Sequence, residues 1–137
     1  MKKVLLIIMM IGLIVNVGCS KSSKNEKENK EENNIIDIKG DDITNDKVID
    51  GVRIKNVSLV IRNDKTEYRA TIENTVTTVK KISHIKVSFL DEMGSVLKSI
   101  NFYNFNNLRK GETHDLPTTT LDIDLSLIKK IEYIIEE

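Results

Sequence analysis

The sequence predicts an all-β fold, a small antiparallel β-sandwich that follows an N-terminal export signal and a disordered linker. Three observations predict the sandwich. Apolar and polar residues alternate over several stretches after residue 50, as they do in strands with one buried face. Clusters of Asn, Asp and Gly separate these stretches, and helical periodicity is almost lacking. Several short strands at this spacing are typical of a sandwich or a barrel.

The first eighteen residues have the organisation of an export signal. Two lysines precede an apolar run over 4–15, which is shorter than the ~20 residues that span a bilayer and suits the centre of a signal peptide. The sequence VGCS at 17–20 then resembles the lipobox of bacterial lipoproteins. Asn16 departs from that pattern, since the family usually has an aliphatic residue three places before the cysteine.

The resemblance implies a lipoprotein signal peptide over 1–18, cleavage between Gly18 and Cys19, and a diacylglycerol on the Cys19 thiol. Cys19 is the only cysteine, so lipidation also accounts for an otherwise odd thiol in an exported chain. Acyl chains on Cys19 fix a protein to a bilayer, which predicts a lipid-anchored protein on the extracytoplasmic face of the cell membrane. The alternatives are an uncleaved membrane anchor and a secreted protein with an unmodified cysteine.

Residues 19–50 are interpreted as the lipidated cysteine and a flexible, charged linker. Residues 20–34 contain no apolar side chain, so burial cannot offset the entropy of ordering them. Isoleucines and valines appear over 35–50 without clear periodicity. This second part is read as mainly linker, with an extra edge strand as the alternative.

The domain is assigned to 51–137, and its first half contains two predicted strands. The apolar alternation changes phase at Asn56, which predicts a bulge or a strand break because a one-residue shift changes the sheet face. A turn is expected at 63–65, and the alternating segment 68–72 forms the next strand.

The second half contains further strands and turns. Ile85, Val87 and Phe89 form a third apolar stripe, 91–94 closes a hairpin with Gly94 in a left-handed position, and 96–105 is the fourth strand. These are followed by a turn at 110–112 and an extended segment 113–121, which Pro117 restricts to a sheet edge. In the tail, the spacing of the apolar residues fits both a helix and a strand. The branched and aromatic residues favour a strand over 130–135, with 124–129 as a loop or a single turn.

Three motifs in this domain, Ile72-Glu73-Asn74, 85–94 and 108–113, resemble the FxLYD-type domain of bacterial lipoproteins and secreted proteins. The resemblance covers roughly residues 51–136. It implies an immunoglobulin-like β-sandwich and no assigned enzymatic activity. The chain departs from the family at three places and agrees at a fourth: Val87 stands at the Phe position, Phe89 at the Leu position and Leu90 at the Tyr position, while Asp91 agrees.

Charge and composition argue against several functions. Thirteen basic and twelve acidic residues from 51 onward create no field that would attract nucleic acid. His84 and His114 lie on different predicted strands without further His or Cys at ligand spacing, so no metal and no cofactor is expected. Asp122, Asp124 and Ser126 fit an Asx turn better than a calcium site. No nucleophile–base motif is present, and no enzymatic activity is predicted.

The remaining feature is the aromatic segment 102–105. Phe102, Tyr103 and Phe105 cannot all face one core from a single strand, so at least one should be exposed. An exposed aromatic residue is a potential partner-binding anchor, and the alternative is ordinary packing on both faces.

The predicted function is a membrane-anchored lipoprotein that carries an interaction or structural module, whose partner is a protein or a cell-envelope polymer. The alternative is an envelope carrier of a small ligand, or an accessory subunit of an envelope enzyme. The carrier would need a cavity, and the enzyme subunit would need a cleft with convergent titratable groups.

Overall fold

A computed structural model describes residues 34–137 of the chain. The predicted signal peptide, the Gly18–Cys19 cleavage site, the lipid on Cys19 and the first part of the linker lie outside the described residues. Among residues 34–137, no helix has the length and hydropathy that a bilayer-spanning segment needs.

The described part of the chain contains nine strands and one helical turn. In chain order these are β1 (Ile35–Ile38), α1 (Asp41–Thr44), β2 (Lys47–Ile49), β3 (Val52–Arg62), β4 (Lys65–Asn74), β5 (His84–Leu90), β6 (Val96–Tyr103), β7 (Thr113–Asp115), β8 (Thr119–Leu121) and β9 (Lys130–Glu136).

The strands form two antiparallel sheets. In the six-stranded sheet, β3 and β4 are central, β1 and β2 pair with the two halves of β3, and β7 and β8 pair with the two halves of β4. In the three-stranded sheet, β5 lies between β6 and β9. This arrangement confirms the predicted all-β sandwich.

The core lies between the inner faces of the two sheets. Tyr68 of β4 is fully buried there, with its ring centroid 5.5 Å from that of Phe89 and 6.3 Å from that of Phe102. The predicted apolar stripes all contribute to it. The fully buried apolar residues on the strands are Val52, Ile54, Leu59, Tyr68, Ile72, Ile85, Val87, Phe89 and Ile131.

The predicted irregularity at Asn56 is confirmed as a bulge in a continuous strand. Asn56 has φ 53°, and the pairing of β3 with β4 shifts register between Lys55 and Ser58. Because the extra residue resets the alternation, both Ile54 before it and Leu59 after it are buried.

Turns lie where the sequence predicts them. Asn63 and Asp64 both have positive φ (49° and 60°) between β3 and β4, as a two-residue hairpin requires. Gly94 has φ 79° between β5 and β6, and the Oδ1 atom of Asp91 accepts hydrogen bonds from the backbone N–H groups of Met93 and Ser95.

The structure differs from the sequence interpretation at 35–50. This segment is not linker: β1 and β2 pair with β3, and the domain begins at Ile35 rather than at Gly51. The pattern was uninformative because strands of four and three residues, separated by a helical turn, are too short to show a period.

Smaller differences concern strand ends. The strand expected over 96–105 ends at Tyr103, since Asn104 has φ 63°. The extended segment 113–121 is divided into β7 and β8 on either side of Pro117, both at the edge of the sheet as predicted. The strand predicted over 130–135 is confirmed as β9.

Candidate functional site

The aromatic segment 102–105 distributes its side chains over both faces of the sheet. Phe102 is buried in the core and Phe105 is half-buried against it. Tyr103 points the other way and is 61% exposed. The expectation that at least one of the three would be exposed is confirmed.

Tyr103 stacks on His84 across the outer face of the three-stranded sheet. The two residues are directly opposite each other on β6 and β5. Their ring centroids lie 4.7 Å apart, with an interplanar angle of 10°. The imidazole therefore supports the phenol ring, so an exposed aromatic side chain is held in one orientation.

Two polar residues hold the imidazole in turn. His84 Nε2 lies 2.9 Å from Asn101 Oδ1, and His84 Nδ1 lies 3.3 Å from Glu136 Oε2. Asn101 lies on β6 and Glu136 on β9, so the ring is fixed from both neighbouring strands. We call Tyr103, His84, Asn101 and Glu136 the Tyr103 patch.

The position of the Tyr103 patch in the sheet leaves one side of it open. In the described part of the chain, β6 pairs only with β5. His84 on β5 covers one face of the Tyr103 ring, and no strand within 34–137 lies on the other side of β6. The second face of the ring is therefore directed towards an open sheet edge.

The patch presents an aromatic ring and polar groups that a ligand could contact. An oriented phenol ring offers a flat apolar face for stacking on an aromatic ring, an aliphatic group or a sugar ring, together with a hydroxyl that donates and accepts hydrogen bonds. The amide of Asn101 and the carboxylate of Glu136 add polar groups at its margin. This combination of an apolar anchor and a polar margin is typical of small binding surfaces.

The second histidine makes a separate contact. The His114 ring lies edge-on to Phe105, with centroids 5.6 Å apart. His84 and His114 are on β5 and β7, different strands as predicted. No group of three or more His, Cys, Asp or Glu residues within 34–137 is arranged to hold a metal ion.

The acidic residues near the C-terminus take structural positions. Asp124 Oδ1 accepts a hydrogen bond of 2.7 Å from the backbone N–H of Ser126, which confirms the predicted Asx turn. Asp122 forms an ion pair of 2.8 Å with Lys65, and this hydrogen-bonded ammonium lowers the pKa of the Asp122 carboxyl.

Two buried tyrosines meet in the core away from the patch. The hydroxyl oxygens of Tyr68 and Tyr133 lie 3.4 Å apart. Burial raises the pKa of Tyr133 to about 12, and it raises the pKa of Tyr68 well above its ordinary value. Both phenols are therefore neutral at physiological pH.

The described surface has shallow grooves. The most voluminous of three, about 420 Å³, lies between 36–43 and 126–129. Its lining mixes isoleucines with charged side chains, including Ile38, Ile43 and Lys129.

The sequence interpretation named Phe102, Tyr103 and Phe105 together as possible anchors, of which Tyr103 is the exposed one. It missed the residues that orient Tyr103. His84, Asn101 and Glu136 reach the patch only through the register of β5 with β6 and β9. Counting along the hairpin from the predicted turn at 91–94 brings 84 within one residue of 103, and the register shift between Phe89 and Leu90 sets the actual pairing.

The fold and the patch together define a small β-sandwich with an oriented aromatic residue at the end of its smaller sheet. Comparison with known proteins gives no match to a family model, to a curated protein or to a solved structure. The resemblance to FxLYD-type domains stays a prediction.

Proposed function

We propose that the protein is a lipoprotein anchored through Cys19 to the extracytoplasmic face of the cell membrane, and that its sandwich is an interaction module. Its partner is a protein or an envelope polymer, which the Tyr103 patch binds. The single observation that carries the binding function is the exposed Tyr103 ring, stacked on His84 at 4.7 Å.

The support for the anchor is the N-terminal sequence. A basic start, an apolar run over 4–15 and a small residue before Cys19 occur in that order, as they do in lipoprotein signals. Fifteen residues separate Cys19 from Ile35, where the sandwich begins. A segment of that length has an r.m.s. reach of roughly 20 Å, so Ile35 would lie within about that distance of the bilayer surface.

The support for binding is that Tyr103 is both exposed and held in one orientation, which costs side-chain entropy. A phenol ring that is stacked on one face and open on the other loses side-chain entropy without gaining burial. Because the Tyr103 ring is already ordered, a ligand that covers its open face gains apolar contact without a further loss of side-chain entropy.

The anchor is tested by labelling cells with a palmitate analogue. The wild-type chain should incorporate label, and Cys19→Ala should not. Ser20→Ala is the matched control and should label normally. Label in both Cys19→Ala and wild type, or in neither, contradicts the anchor.

The patch is tested by placing a photo-crosslinking phenylalanine analogue at position 103 in cells. The control position is Val48, which is 58% exposed on the other sheet. Position 103 should give a discrete crosslinked product that position 48 does not give. In parallel, Tyr103→Ala but not Val48→Ala should reduce sedimentation with isolated envelope polymer. Equal behaviour at the two positions in both assays contradicts the proposal.

A further inference from the structure

The segment 35–49, which we call the strap, lies along one edge of the six-stranded sheet. It consists of β1, α1 and β2. Strand β1 pairs with one half of β3 and β2 with the other, and α1 connects them. The strap is therefore an edge element that contacts the sandwich mostly through one strand.

The strap is weakly packed. Ile43 is its only fully buried side chain, at 4% exposure; Ile38 and Ile49 are half-buried against the core, and Ile35, Ile36 and Val48 are exposed. The 420 Å³ groove separates it from 126–129. A segment that buries little apolar surface is held in place by little free energy. Its local opening therefore costs less free energy than opening of the core strands.

One side chain fastens the strap to the opposite sheet. Lys47 Nζ donates a hydrogen bond of 2.7 Å to the backbone oxygen of Ile131 on β9 and another of 2.7 Å to that of Asp42. The ammonium also lies 5.9 Å from the centroid of the Tyr133 ring. The pairing with β3 and the apolar contacts of Ile43, Ile38 and Ile49 also hold the strap. Lys47 adds its one side-chain hydrogen bond to the rest of the described chain.

The strap has a defined end. The backbone oxygen of Gly51 accepts hydrogen bonds of 2.8 Å from both the N–H and the Oγ1 hydroxyl of Thr75. These bonds fix the chain immediately after the strap to the loop that follows β4. An opening that begins at Ile35 therefore stops at Asp50.

We infer that the strap is a latch, pinned by Lys47, which opens as a unit while the remaining sandwich stays folded. Opening exposes the edge of β3 that β1 and β2 cover. It also adds fifteen residues to the segment between Cys19 and the sandwich, which is about 50 Å of extended chain. The opening is independent of the lipid, and only its effect on reach rests on the proposed anchor.

The experiment is hydrogen–deuterium exchange of the full chain in detergent, read by mass spectrometry. Backbone amides of 35–49 are compared with those of β5, which is paired on both sides. Wild type is compared with Lys47→Met, which keeps an unbranched chain but removes the donor. Lys39→Met is the matched control, because among residues 34–137 the Lys39 ammonium forms an ion pair with Asp37 alone, inside the strap.

The strap should exchange at least ten times faster than β5 in the wild type. Lys47→Met should accelerate the strap about 10-fold more, as expected for the loss of a charge-assisted bond, and leave β5 unchanged. Lys39→Met should change neither the exchange rate of the strap nor that of β5. Ile43→Ala provides a second variant and should also accelerate the strap alone. Acceleration of strap and β5 together, or no acceleration of the strap in either variant, overturns the latch. Palmitate labelling does not bear on this result, so the two proposals fail separately.

Discussion

Gly51 lies directly against the side chain of Val76. A Cβ atom on Gly51 would be 2.6 Å from Val76 Cγ1, and Gly51 has φ +79°. Gly94 has the same φ, but a Cβ there would meet nothing within 4 Å. The two glycines therefore have the same positive φ, and the space around the missing Cβ differs between them.

This difference predicts unequal effects of alanine at the two sites. Gly94→Ala should lower the free energy of unfolding by about 1 kcal/mol, the cost of a left-handed alanine. Gly51→Ala should lower it by about 3 kcal/mol, since overpacking is added to that cost. Urea unfolding measures both. Equal losses would show that the contact with Val76 relaxes freely.

Buried Asn74 connects two loops, the one that follows β4 and the one that follows β6. Its Nδ2 donates hydrogen bonds of 2.8 Å to the backbone oxygens of Thr78 and Leu108, and its Oδ1 accepts one of 2.9 Å from the backbone N–H of Val76. Asn74→Ala leaves buried groups unpaired and should cost about 3 kcal/mol of stability. Asn107→Ala, at an exposed position, should cost less than ~0.5 kcal/mol. If Asn74→Ala lowered the free energy of unfolding by less than about 1 kcal/mol, water would be forming the hydrogen bonds that the Asn74 amide makes.

The buried tyrosine pair predicts a loss of stability in alkali. In the folded chain the pKa of Tyr133 is about 12, whereas unfolded tyrosine titrates near 10. The unfolded chain therefore releases its proton first, and the stabilisation is complete below pH 10 and is lost as the pH rises towards 12. From Tyr133 this loss is roughly 3 kcal/mol.

Unfolding by urea at several pH values from 9 to 12 tests this expectation. Tyr133→Phe should show a shallower fall of stability with pH than the wild type. Tyr103→Phe removes an exposed phenol and should leave the slope unchanged. If stability fell equally steeply with pH in the wild type and both variants, the buried phenol of Tyr133 would not be the cause of the alkaline loss.

The stack of Tyr103 on His84 predicts energetic coupling. A double-mutant cycle with Tyr103→Ala and His84→Ala should give a coupling energy of about 0.5–1 kcal/mol in favour of the pair. Each single variant should fold, because both side chains lie on the outer face of the sheet. Additive effects would show that the rings are adjacent without stabilising each other.

The sequence predicted the sandwich because its strands bury one face. The phase change at Asn56 was visible as a break in alternation, and the structure confirms the bulge there. The strap was missed because its strands contribute backbone pairing at an edge, with Ile43 as the one buried side chain. Backbone pairing without burial leaves no periodic signal.

The Tyr103 patch shows a different limit. Its anchor was predictable, since three aromatics in four residues exceed what one face can bury. Its partners depend on register, and the pairing of β5 with β6 shifts between Phe89 and Leu90. A count from the hairpin without that shift would place Phe102, not Tyr103, opposite His84. One irregular residue pair thus decides which ring the imidazole supports.

The open edge of β6 is a place where several molecules could associate by strand pairing. Lys98 is the only charged residue on this eight-residue strand; it is paired with Phe89 and its side chain is exposed. Two molecules joining along β6 would have to bury that ammonium between their sheets, which opposes polymerisation. The single charge of Lys98 therefore disfavours the repeated edge-to-edge pairing from which fibres grow.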